Sequence, residues 1–263
     1  MSFFQDLLGA SATIDPPEVG VIRAGPLLSV NHHSALLKPV SNEEIRAALF
    51  SLGDTKAPGP DGFSAKFFKH SWSFVGEDFC EAIQEFFSSQ RLLKRINHIA
   101  IVLIPKTSRA TAVLDFRPIS CCSTTYKVIA KILASRIAEV LGDIVSHEQG
   151  AFVKGRLMTD NILLVQEILK EYSRKRTAPK YMIKVDLRKA YDTLEWGFIK
   201  IILLELNFPP MFVSLIMECI TTTSFSVKLN GNLCGFFKGA RGLRQGDPLS
   251  PYILLFAWST LAS

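Results

Sequence analysis

Apolar and polar positions along the chain repeat with two distinct periods. From Ser41 the spacing Ile45, Ala48, Leu49, Leu52 predicts a helix, opened by the capping-box form Ser41-Asn42-Glu43-Glu44 and stopped at Gly53. After the turn-forming run Ala57-Pro58-Gly59-Pro60-Asp61-Gly62, Val75, Phe79, Ile83 and Phe86/Phe87 predict a second amphipathic helix. Ile99 to Ile104 is short, β-branched and closed by Pro105, which predicts a strand. The helical period returns from Thr125 with Ile129, Leu133, Ile137 and Val140/Leu141, and again from Asp160 to Glu171 with Ile162, Val165, Ile168 and Leu169. Tyr181 to Val185 reads as a strand ending at Asp186, and helices follow from near Thr193 and near Met211. Asn230-Gly231, set between Phe225 to Leu229 and Leu233 to Phe237, predicts a hairpin with a type I′ turn. Residues 1–40 are broken by Pro16-Pro17, Gly20 and Gly25-Pro26 and read as an irregular connector, weakly helical from Ser2 to Leu8. Interleaved strands and helices place the chain in the α+β or α/β class.

Composition narrows the function classes. The 263 residues are 48% hydrophobic and include 19 Phe, which describes an ordered globular chain. Thirty Lys and Arg against 24 Asp and Glu give a net charge of +6, which permits a polyanionic partner. The five Cys show no C-x-x-C spacing and the His residues no ligand spacing, so no transition-metal site or disulfide framework is expected. The N-terminus lacks a basic n-region, and the charge-free stretch Pro248 to Ser263 is shorter than a membrane span needs. A soluble intracellular protein, cytoplasmic or nuclear, is the expectation.

Three places carry candidate chemistry. Asp186, at the end of an apolar strand, is either a turn residue or a carboxylate projected into a crevice as a metal ligand. Six residues on, Asp192-Thr193-Leu194-Glu195 has capping-box form, so Asp192 reads as a helix N-cap in preference to a second metal ligand. Lys106 and Arg117 converge on phosphate if the strand at Ile99 to Ile104 returns as a hairpin; otherwise they are solvated loop charges. The segment from Gly239 to Pro251 combines glycines that allow close backbone approach with Arg241, Arg244 and the helix start Ser250-Pro251. Such a loop is either a phosphate-facing device or a tight basic connector. No P-loop, dinucleotide fingerprint or hydrolase elbow is present.

Six ordered motifs go further. They are Ala57-Pro58-Gly59-Pro60-Asp61-Gly62-Phe63, Ile104-Pro105-Lys106, Phe116-Arg117-Pro118-Ile119-Ser120, Gln149 to Arg156, Lys184 to Asp192, and Gly242 to Pro251. In this order and spacing they resemble the reverse transcriptase of non-LTR (LINE-type) retrotransposons, most like plant copies, from about Lys38 to about Phe256. The resemblance implies an α+β right-hand polymerase with a connector remnant over 1–40, fingers with interleaved palm elements over 41–180, and an incomplete palm over 181–263. It implies RNA template, DNA primer and deoxynucleoside triphosphates as partners, with Mg²⁺ as cofactor. Asp186 matches the catalytic aspartate that ligates the metals, and Tyr191 the aromatic that excludes a 2′-hydroxyl. Lys106 and Arg117 match residues that grip the triphosphate, and Gln245 and Gly246 the loop against the nucleotide. Gln149, Gly155 and Arg156 match a template-side segment, and Arg241 and Arg244 join them as candidate nucleic-acid contacts.

The family pattern continues to an adjacent Asp-Asp pair and a thumb, and this chain stops at Ser263 before both, so it reads as a fragment. Two divalent cations ~4 Å apart repel by about 17 kcal/mol at an effective dielectric near 20, and one carboxylate offsets little of that. The isolated chain is therefore expected to lack processive polymerase activity, leaving a non-catalytic nucleic-acid-binding remnant as the alternative reading. Metal-dependent primer extension by the purified chain would contradict this expectation.

Overall fold

The computed structural model describes residues 2–12, 17–146, 149–171 and 189–261. Asp186 and the strand expected at Tyr181 to Val185 lie outside the described residues. Three short helices come first: α1 (Ser2–Leu8), α2 (Val19–Ala24) and α3 (Val30–Leu37). The first has the bounds of the weakly helical stretch expected from Ser2 to Leu8, while α2 and α3 replace irregular chain. Each is too short to display a period, and each is held by tertiary contact, with Phe4, Leu8, Ile22, Leu28 and Leu36 buried. The backbone joins in, since Leu28 N–H donates to Leu206 O at 3.1 Å and the Asn207 side-chain amide donates to Leu28 O at 2.6 Å.

Helix α4 (Asn42–Phe50) begins as expected, with Ser41 Oγ accepting the Glu44 N–H at 3.2 Å. Helices α5 (Ala65–His70) and α6 (Trp72–Ser89) follow, and α6 buries Phe79, Ile83, Phe86 and Phe87. Strands β1 (His98–Pro105) and β2 (Phe116–Cys121) form an antiparallel pair in which Ile104 faces Arg117. The long α7 (Thr124–Ile144) is the axis of the core, burying Ile129, Leu133, Ile137, Val140 and Leu141. Helix α8 (Met158–Glu171) forms where the periodicity predicts one, yet Ile162, Val165, Ile168 and Leu169 on it are exposed.

Beyond it lie α9 (Ala190–Thr193), α10 (Trp196–Glu205) and α11 (Pro210–Thr221), then the hairpin β3 (Ser224–Leu229) and β4 (Asn232–Lys238), and α12 (Ser250–Leu261). Asn230 and Gly231 take φ of 49° and 85°, the left-handed values a type I′ turn requires. The described strands make one four-stranded sheet, order β2-β1-β3-β4, with β1 and β3 parallel and the outer pairs antiparallel. The class is mixed α+β. Among the described residues no helix is long and apolar enough to cross a membrane.

One charge is built into the apolar layer between α4 and α7. Arg136, 2% exposed, pairs with both carboxylate oxygens of Glu44 at 2.9 and 3.1 Å and donates to Leu36 O at 2.9 Å. It ties α3, α4 and α7 together. Glu44→Ala, which strands this guanidinium, is expected to lower unfolding free energy by about 3 kcal/mol. Urea denaturation checks this, and an unchanged midpoint would show that the pair contributes nothing.

Candidate active site

The β1–β2 hairpin brings Lys106 and Arg117 together as the return of the chain requires. Lys106 N–H donates to Asp115 O at 2.7 Å, and its ammonium donates to Leu114 O at 2.7 Å. The Asp115 carboxylate accepts the Ala112 and Thr111 N–H groups at 2.9 and 3.0 Å, which hold its pKa below the ordinary value and fix the turn. Arg117 projects into solvent on the same side.

The glycine-rich loop closes against this hairpin. Gly242 has φ +85°, and a Cβ there would lie 2.8 Å from Asp192 O. Only glycine fits. Leu243 N–H donates to Tyr191 O at 2.5 Å, Gly242 N–H to Leu194 O at 2.8 Å and Trp196 Nε1 to Gly242 O at 2.9 Å, so the loop is laced onto α9 and the start of α10. On the other side Ser120 N–H donates to Gln245 O at 3.2 Å, and Gly246 turns with φ +100°.

The loop is anchored from beneath by Arg244, 6% exposed. Its guanidinium donates to Asn97 Oδ1 at 2.6 Å and also to Thr223 Oγ1 and Cys219 O. It lies 4.1 Å from the Tyr126 ring centroid and 3.5 Å from Asp247 Oδ2. Tyr126 Oη–H donates to the same Asp247 oxygen at 2.6 Å, and burial pushes the phenol pKa well up, keeping it a donor.

Lys106, Arg117 and Gln245 thereby line one cavity of about 270 Å³, together with Lys189, Asp192, Phe116, Leu114 and, from α1, Phe3, Phe4 and Leu7. Three cations and one carboxylate around a small cavity suit an anionic ligand. Asp192 is 7% exposed, and burial raises its pKa, opposed by Lys189 and by a hydrogen bond from Gln245. It is not the N-cap that its local pattern suggests; it lies within α9, and Glu195 occupies the N-cap position of α10. Tyr191 is partly buried beside the cavity without lining it.

Gln149, Gly155 and Arg156 assemble elsewhere. Arg156 donates to Gln149 O at 2.9 Å and to the α7-terminal carbonyls of Gly142 and Val145 at 3.4 Å each, while Gly155 turns with φ +83°. Nearby, a cleft of about 620 Å³ carries Lys131, Lys154 and Tyr252. Arg241 is held by α1, donating to Leu7 O at 2.8 Å and Asp6 O at 3.3 Å.

Residues 104–262 match the reverse transcriptase (RNA-dependent DNA polymerase) family. The chain belongs to that family. It is 29% identical over 250 residues to the transposon TX1 uncharacterized 149 kDa protein of Xenopus laevis, covering 95% of this chain and 19% of that protein. It is 28% identical to the Pol polyprotein of the R2 retrotransposable element of Nasonia vitripennis, covering 83% and 20% of the two chains. The R2DM polyprotein of Drosophila melanogaster is also 28% identical, covering 88% and 21%. The chain spans about a fifth of the length of these relatives. The resemblance to a non-LTR retrotransposon reverse transcriptase, drawn from the six motifs, agrees with both findings.

The motifs identified Lys106, Arg117 and Gln245 as site residues; Lys189 and Asp192 lie within the Lys184 to Asp192 motif without having been assigned to the site as cavity-lining groups, and the α1 residues lie outside every motif. Among the described residues no group of three or more His, Cys, Asp or Glu stands together as a metal site. The raised Asp192 pKa has a sign that can be measured. Folding favours its protonated form, so its contribution is fullest below pH ~3.8 and is lost as pH rises through the folded value. Asp192→Asn is expected to gain stability relative to wild type across that rise, read by urea denaturation at several pH values. A pH-independent difference would contradict the assignment.

Proposed function

We propose that this cavity is the incoming-nucleotide pocket of an RNA-directed DNA polymerase from a non-LTR element. The observation that carries the reading is the convergence of Lys106, Arg117 and Gln245, drawn from three separate motifs, on one cavity. Lys106 and Arg117 are exposed cations suited to a triphosphate, and Arg117 offers a planar fork to its oxygens. Gln245 and the Gly246 turn face the base and sugar, with Tyr191 beside them to sense the 2′-position. In this reading residues 41–180 supply fingers with interleaved palm elements, 181–263 supply palm, and 1–40 lead into them.

Asp186 would hold Mg²⁺, a role supported by the motif resemblance alone, and the bound metal would supply charge neutralisation and activation of the primer hydroxyl. Asp192 is the carboxylate among the described residues that lines the cavity, and it carries hard oxygen. Template and primer suit the cleft with Lys131, Lys154 and Tyr252, where cations and an aromatic ring stand together. Arg241 and Arg244, both committed to protein partners, act in this reading by holding the loop. Arg156, with Gln149 and Gly155, shapes the end of α7 beside the template path.

Fluorescence anisotropy of a labelled RNA–DNA primer–template tests the reading. Affinity is expected to fall with salt, and to rise when the complementary deoxynucleotide and Mg²⁺ are added. Lys106→Ala or Arg117→Ala is expected to weaken the nucleotide effect about tenfold or more, since a charge-assisted contact is worth ~1.5–3 kcal/mol. Salt-sensitive binding with no nucleotide response would instead mark a non-catalytic nucleic-acid-binding chain.

A further inference from the structure

Helix α1 closes one side of the nucleotide pocket with apolar side chains. Phe3, Phe4 and Leu7 line the same cavity as Lys106, Arg117 and Gln245, and the Phe3 ring lies 4.9 Å from the Lys189 ammonium. With α1 in place the cavity measures about 270 Å³. Pockets for drug-sized ligands run from roughly 300 to 1,000 Å³, so with α1 seated this one is at the small end for a nucleoside triphosphate. One of the groups that favour an anion, the Lys189 ammonium, meanwhile stands against the Phe3 face of α1.

The attachment of α1 is local and breakable. Ala240 and Arg241 N–H groups donate to Leu8 O at 2.7 and 3.3 Å, and the Arg241 side chain grips Leu7 O and Asp6 O. Glu195 completes the latch, accepting Ala12 N–H at 3.1 Å and lying 3.5 Å from Arg241. At seven residues, α1 is well below the length at which a helix persists by itself, so its order depends on this seat.

We infer that α1 is an autoinhibitory lid: it occupies part of the nucleotide pocket and must leave its seat for a nucleoside triphosphate to bind. The inference rests on the pocket assignment above and adds the competition. Displacement frees the Lys189 ammonium from the Phe3 ring and removes the wall that Phe3, Phe4 and Leu7 form, so nucleotide and α1 exclude each other.

The test pairs dTTP titration in Mg²⁺ buffer with hydrogen–deuterium exchange across residues 2–12 of the full chain. Leu8→Ser removes a buried contact outside the cavity lining. Gly9→Val places a Cβ 2.7 Å from Gln5 O of α1 itself and 3.3 Å from Lys238 O, disrupting the last turn of α1 where it meets the end of β4. Both variants are expected to bind dTTP about tenfold more tightly by raising the open fraction. In wild type, dTTP is expected to accelerate exchange in α1, and Lys106→Ala to weaken binding in either background. Unchanged affinity in both variants, with α1 still protected at saturating dTTP, would make α1 a fixed wall and overturn the lid while leaving the pocket intact. Absence of dTTP binding in every form would overturn the pocket reading and the lid together.

Discussion

A guanidinium that stays charged at every accessible pH cannot sit in an apolar interior without partners, and Arg244 sits there. Its Nη2 gathers the hydrogen-bond partners, while Nη1 has only the ion-pair approach of Asp247 at 3.5 Å, and these partners set the arrangement around the loop. Asn97 comes from the approach to β1, Tyr126 from the first turn of α7, Cys219 O from α11 and Thr223 from the approach to β3, while Asp247 comes from the same loop. These elements are far apart in the chain, so the loop from Gly242 to Asp247 can take only one seat. That seat brings the Gln245 carbonyl to Ser120 and its side chain to the cavity, opposite Lys106 and Arg117.

Much of this was legible in the amino-acid order because the signals are local. The capping of α4 by Ser41, the β1 run closed by Pro105, the α7 period and the Asn230-Gly231 turn each depend on neighbours within a few positions. The parallel pairing of β1 with β3 joins segments more than a hundred residues apart, and nothing in either strand announces it. Of the first forty residues only Ser2 to Leu8 showed a weak helical signal; α2 and α3 are too short for a period, and their order comes from the surface they cover.

The site shows the same division. Lys106 and Arg117 follow from the hairpin, whereas Arg241 and Arg244 read as free positive charge although both are committed to protein partners. The nearest clue was Asp247, three residues after Arg244, a spacing that allows the pair to meet across the turn. Asp192 carried a capping pattern that local logic favoured, and burial against Lys189 and Gln245 gave it another place. What local signals cannot convey is which charges remain exposed once the chain closes, and that decides which can meet an anionic ligand.

The central claim is that Lys106 of the hairpin and Gln245 of the tethered loop act on one ligand. A double-mutant cycle on dTTP affinity, using Lys106→Ala, Gln245→Ala and the pair, addresses it most directly. If both contact the same nucleotide in one closed pocket, the double variant loses less than the sum of the single losses, with a coupling of about 0.5 kcal/mol or more. Strictly additive losses, or no loss in Gln245→Ala, would contradict a shared pocket.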